Sequence, residues 1–154
     1  MDWRVCQWLA NAIEKARVEL DFALWAYVFM PDHVHLLVCP KRPDYDVRLI
    51  LQKIKEPVGR QAIKYLRSHA AHWLPRITVQ RGTRAERRFW QAGGGFDRNV
   101  VEPDIVLAMI EYIHANPVRR ELVSSAEVWK WSSAGWHEGK NSLKPDPTSS
   151  RGRG

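Results

Sequence analysis

Tyr27-Val28-Phe29-Met30-Pro31-Asp32-His33-Val34-His35-Leu36-Leu37-Val38 is the stretch on which the fold turns. An apolar run meets a Pro-Asp pair, two histidines flank one valine, and a second apolar run follows. Two strands joined by a tight turn fit this best. Side chains alternate faces along a strand, so His33 and His35 share a face, roughly 6.5–7 Å apart along the backbone. Val34, Leu36 and Val38 take the other face and suit a core. Imidazoles so placed can converge on one ion or one phosphate. A buried strand that merely carries two histidines has the same pattern, as do metal-binding pairs and histidine-based phosphate sites. The pair alone therefore does not choose a reaction.

Upstream of the hairpin, Cys6, Leu9, Ile13, Ala16 and Leu20 recur at three- and four-residue spacing, which predicts a helix from about Trp3 to Leu20 capped by Asp2. Strands are expected over Phe22–Met30 and His33–Cys39. Downstream, a loop over 41–46 precedes a second helix, about Val47 to His69, with Ile50, Ile54, Val58 and Tyr65 inward and a kink or break at Pro57. Arg48, Lys53, Lys55, Arg60, Lys64 and Arg67 decorate this helix. Such a set is ordinarily a solvated face, and becomes a DNA-facing one where an adjacent site handles phosphate. The region 72–85 has weak periodicity and reads as a loop with at most a short strand, and 87–92 reads as a strand ended by Gly93-Gly94-Gly95. A third helix opens at Glu102 or Pro103 and is expected to end at Asn116, before Pro117. Tyr112 and Asn116, four residues apart, share one of its faces. Trp129 and Trp131 mark a docking segment over 128–134. Residues 140–154, rich in Lys, Pro, Ser, Arg and Gly, read as a disordered basic tail after a domain spanning 1–139.

The chain has 154 residues, 45% of them hydrophobic, enough to build one domain with a core rather than a disordered chain. Its net charge of +7 favours a polyanionic partner. Cys6 and Cys39 are the only cysteines, so a disulfide framework is not expected; both read as core thiols in a reducing, cytoplasmic setting. No apolar run approaches the length of a membrane span. No glycine-rich phosphate loop ending in Gly-Lys-Ser/Thr occurs, so ATP-driven chemistry is not indicated.

Four separated stretches bear on function together: 30–37 (Met-Pro-Asp-His-Val-His-Leu-Leu), 96–100 (Phe-Asp-Arg-Asn-Val), 112–120 (Tyr-Ile-His-Ala-Asn-Pro-Val-Arg-Arg) and 129–134 (Trp-Lys-Trp-Ser-Ser-Ala). In this order they resemble the single-tyrosine HUH transposases, most closely the REP-associated tyrosine transposases, over about Asp21 to Trp136. The resemblance implies an α+β fold with an antiparallel, ferredoxin-like sheet, two helices on one face, and the histidines on the other near the tyrosine helix. It implies His33 and His35 as ligands of a divalent ion, Asn116 as third ligand and Tyr112 as nucleophile. Asp97 and Arg98 match a family loop without an assigned role. The implied substrate is single-stranded DNA beside a hairpin, cut by a monomer or homodimer. Arg48, Lys53, Lys55, Arg60, Arg98, Arg119 and Arg120 are the candidate DNA contacts. The family's usual first strand, which lies mid-sheet ahead of the first helix, has no counterpart here; either the start is misplaced, the domain is truncated, or another segment fills the gap.

The implied chemistry is physically coherent. Phosphodiester charge repels a nucleophile, and a divalent ion with open coordination sites polarises phosphate oxygens and orients in-line attack. Mg²⁺ prefers oxygen ligands, whereas imidazole suits Mn²⁺ and later metals. A tyrosine hydroxyl, with an unperturbed pKa near 10, needs help to attack. Two other readings stand beside the nicking enzyme: a descendant that binds DNA without cutting it, and a metal-dependent phosphoesterase that uses the histidines without a covalent tyrosine.

Overall fold

The computed structural model describes residues 2–91, 99, 102–138 and 143–148. Helix α1 (Trp3–Leu20) starts where Asp2 accepts a hydrogen bond from the Arg4 N–H, and it ends at Asp21, in a left-handed conformation with φ 51°. Strands β1 (Phe22–Phe29) and β2 (Val34–Pro40) form the expected antiparallel hairpin. Helix α2 (Val47–His69) is capped by Asp46 and continues through Pro57, so the expected break is absent. Strands β3 (Thr78–Arg81) and β4 (Arg84–Arg87) make a second, separate hairpin, turned at Gly82 with φ 57°. The strand expected over 87–92 is thus displaced upstream, because β3 and β4 are largely exposed on both faces and carry no alternating apolar signal. Helix α3 (Pro103–Arg119) completes the set. The fold is α+β, with antiparallel pairing in both described sheets. No described helix is long and apolar enough to cross a membrane.

β1 is buried on both faces. A register shift between Leu24 and Ala26 lets Phe22, Leu24, Tyr27 and Phe29 face α1 and α2, where they meet Leu9, Ile13, Ile50, Ile54 and Val58. Ala26, Val28 and Met30 face the other way, toward Val106 and Ile113 of α3. β2 follows the same division. Val34, Leu36 and Val38 pack on the α1–α2 side, and Leu37, in phase with His33 and His35, packs on the α3 side. Cys6 is buried and its thiol is pushed up to about 11 by loss of solvation, whereas Cys39 is only half-buried and not the core thiol expected.

A strand buried on both faces must also satisfy both edges. β2 takes one edge of β1. On the other, the Phe29 N–H donates to the Trp131 carbonyl at 2.8 Å, the Phe29 carbonyl accepts from Trp129 Nε1 at 3.0 Å, and Val28 bridges Ser132. The Tyr27 N–H donates to Ser133 Oγ at 2.9 Å. Ser133 Oγ also lies 2.7 Å from His114 Nε2, tying α3 to the strand. Burial lowers the pKa of His114 and so favours its neutral form. Further along, Leu24 exchanges two bonds with Asp146, its N–H donating to Oδ2 at 2.8 Å and its carbonyl accepting the Asp146 N–H at 2.7 Å.

Residues 143–148 therefore correct the expectation of a disordered tail for this part of 140–154. Leu143 is 1% exposed in the main core, its carbonyl accepts from the buried Tyr27 hydroxyl at 2.9 Å, and Arg17 reaches the Lys144 carbonyl at 2.7 Å. One leucine and a set of backbone bonds hold the segment, which composition could not reveal. The second edge of β1 is lined by these two segments. Leu143→Ala should lower the free energy of urea unfolding by about 2–5 kcal/mol, as for other buried leucines, where a leucine in a solvated tail would cost under about 0.5.

Candidate active site

The turn between β1 and β2 is closed by a bond from the Met30 N–H to the His33 carbonyl at 2.8 Å. It delivers His33 and His35 to the α3 side. Their Nε2 atoms lie 3.1 Å apart, with the rings nearly perpendicular. Asp32 Oδ1 sits 2.6 Å from His33 Nδ1, and this bond holds the Asp32 carboxyl below its ordinary value. Burial, helped by the neighbouring His33, lowers the pKa of His35 and favours its neutral form.

Across from the pair stands Tyr112. Its ring is edge-on to His35, with centroids 5.9 Å apart, and it is 44% exposed. Tyr27 makes the contrast: its ring is in the core, its hydroxyl is spent on Leu143, and burial drives its pKa upward. Arg119 lies two turns after Tyr112, with its guanidinium 5.2 Å from the ring centroid. Arg120 Nη1 is 4.0 Å from Asp32 Oδ2. Histidines, tyrosine and two arginines thus come together from one hairpin and one helix.

The helix reaches Arg119 because Pro117 does not end it, contrary to expectation. Proline has no N–H for the Ile113 carbonyl. The Asn116 side chain substitutes: its Nδ2 donates to the Tyr112 carbonyl at 2.8 Å and to the Ile113 carbonyl at 3.4 Å. Asn116 is buried and, among the described residues, makes no hydrogen bond to either histidine. Its Oδ1 is the atom left for any ligand role. The two histidine nitrogens suit a shared ion, since 3.1 Å is less than twice a metal–imidazole bond of about 2.1 Å. Among the described residues, no group of three or more His, Cys, Asp and Glu side chains is placed to hold an ion.

The proposed DNA contacts divide. Arg48, Lys55 and Arg60 line an open groove of about 520 Å³ between α2 and residues 86–90, and Arg60 pairs with Glu56 at 3.1 Å. Lys53 is instead paired with Glu19 of α1 and does not line the groove. Arg119 and Arg120 belong to the tyrosine site, and Arg98, with Asp97, lies outside the described residues. The sequence reading missed Arg87, Arg88 and Trp90 as groove residues. Trp90 donates to the Lys55 carbonyl at 2.7 Å, and Lys55 Nζ lies 5.7 Å from a Trp90 ring centre. The run Arg87-Arg88-Phe89-Trp90, basic then aromatic, was the available signal.

A solved structure of the REP-associated tyrosine transposase bound to a REP hairpin matches this chain with a TM-score of 0.61 and 20% sequence identity. The match covers 90% of this chain and 70% of that one. This chain has the fold of a REP-associated tyrosine transposase. No family model and no curated protein matches the sequence. In this transposase fold the double role open to Asn116 can be separated by substitution. Asn116→Asp keeps an oxygen for an ion but replaces the amide donor with an acceptor facing two carbonyls. It should lower unfolding stability by about 1–3 kcal/mol in urea titrations. Mn²⁺ uptake measured on the same protein should persist.

Proposed function

We propose that this chain is a transposase-like enzyme that nicks single-stranded DNA beside a hairpin and rejoins it through a tyrosine–phosphate link. The observation that carries the reading is the exposed Tyr112 ring 5.9 Å from His35, whose Nε2 is 3.1 Å from that of His33. The shared fold supports it, and the transposase of that fold was solved bound to a REP hairpin.

His33 and His35, with Asn116 Oδ1, would hold a divalent ion, Mn²⁺ suiting imidazole better than Mg²⁺. Bound there, the ion would neutralise phosphate charge and polarise the scissile group. Tyr112 Oη attacks phosphorus in line, and its proton passes to water. The bond to the 3′ oxygen breaks, and that oxygen takes a proton from water, leaving a 5′-phosphotyrosine and a free 3′-hydroxyl. Reversal by another 3′-hydroxyl rejoins DNA without an external energy source. Arg119 sets a positive charge beside the attacking residue, where the phosphodiester must lie. Asn116 and Tyr112 approach from one helix, which keeps their spacing fixed.

Tyr112→Phe removes one exposed oxygen and should leave the fold intact. Wild type and variant are incubated with labelled hairpin DNA and Mn²⁺, denatured, and resolved by size. Label should travel with the wild type and not with the variant. Cleavage without adduct in the wild type would identify a phosphoesterase, and binding with neither cleavage nor adduct a non-cutting descendant. Label retained by Tyr112→Phe would mean another nucleophile.

The groove along α2 would contribute phosphate contacts, with Trp90 available for stacking. Affinity for single-stranded or hairpin DNA should fall with salt, at roughly −0.7 in log–log slope per neutralised phosphate. The double variant Arg48→Ala/Arg60→Ala should flatten that slope by about 1.4 in fluorescence-anisotropy titrations, if each arginine neutralises one phosphate. An unchanged slope would remove the groove from the DNA path.

A further inference from the structure

The turn that presents His33 also carries Asp32, which the reaction above does not use. Asp32 Oδ1 lies 2.6 Å from His33 Nδ1, and Asp32 Oδ2 faces Arg120 Nη1 at 4.0 Å. An ionised carboxylate only accepts hydrogen bonds, so this contact requires the proton on His33 Nδ1. A neutral imidazole protonated there has its lone pair on Nε2, the nitrogen 3.1 Å from His35. In that contact His33 is then the acceptor, and His35 supplies its Nε2–H.

We infer that Asp32 is a positioning residue that locks His33 in its Nδ1–H tautomer, making His33 the preset member of the pair and His35 the adjustable one. To offer Nε2 to an ion, His35 must release that proton to water and take one on Nδ1, with no net change in charge. His33 needs no such step. The purpose of this asymmetry rests on the ion-binding reading of the pair; the tautomer does not. Arg120 Nη1 lies 4.0 Å from the second carboxylate oxygen, so the end of α3 sets a positive charge beside the turn.

The test uses the full chain, ¹⁵N-labelled and metal-free, at a pH where both histidines are neutral. Long-range ¹H–¹⁵N correlation identifies the protonated nitrogen of each ring. His33 should be protonated at Nδ1 in the wild type and in Asp32→Asn, whose amide oxygen still accepts. In Asp32→Ala it should shift toward Nε2–H. Asp32→Ser, too short to reach Nδ1, supplies the same reading where the alanine variant does not fold. Mn²⁺ affinity, from the paramagnetic resonance of the free ion, should weaken about ten- to a hundredfold in Asp32→Ala and less in Asp32→Asn. His33 protonated at Nε2 in the wild type, or a tautomer unchanged by removal of the carboxylate, overturns the inference. A wild type with the expected tautomer but no Mn²⁺ uptake overturns the ion-binding reading instead and upholds the positioning by Asp32.

Discussion

Everything in this molecule depends on satisfying a strand that has no solvent-facing side. β1 supplies Phe22, Leu24, Tyr27 and Phe29 to one core and Ala26 and Val28, with Met30 just beyond it, to another, and nearly all of it is inaccessible to water. An unpaired backbone group there would cost about 1–3 kcal/mol. β2 answers one edge with regular pairing. The other is answered piecemeal, by Trp129, Trp131, Ser132 and Ser133 at one end and by Asp146 at the other. The second edge of β1 is thus covered by irregular segments that arrive late in the sequence, next to the site-bearing turn beyond Phe29.

That closure is also what positions the chemistry. The segment that seals β1 at Phe29 sits one residue from Met30, where the histidine turn begins. Ser133 joins the same strand to His114 of α3. The hairpin and the tyrosine helix are therefore registered by core packing through Val28, Val106 and Ile113 and by a hydrogen-bonded post. Small losses in this packing would move Tyr112 relative to His35, and the in-line attack proposed for it tolerates little misplacement.

The parts legible in the sequence were those with strong periodicity. The α1 stripe, the hairpin with its histidines opposite Val34, Leu36 and Val38, and the shared position of Tyr112 and Asn116 on one helix all follow from spacing alone. The α1–α2 side and the α3 side of the hairpin came from resemblance. What spacing could not carry were contacts made by backbone atoms and by single residues. Residues 143–148 dock through carbonyls, one aspartate and one leucine, in a stretch whose composition reads as solvated. The β3–β4 hairpin is exposed on both faces and has no pattern to detect. Spacing shows the backbone deficiency of Pro117 but not the neighbouring Asn116 amide that compensates for it.

The pairing of Asn116 with Pro117 bears on how such sequences diverge. Asn116 repairs the helix at the proline, so it serves the folded state whether or not the chain cuts DNA. Tyr112 is 44% exposed, and its ring meets His35 and Arg119 at the site rather than the core. A lineage that ceased to cut would keep Asn-Pro under selection for stability and release the tyrosine. The asparagine and proline thus belong to the folded state, and under the proposed reaction the residue four positions earlier is the one that reports on cutting.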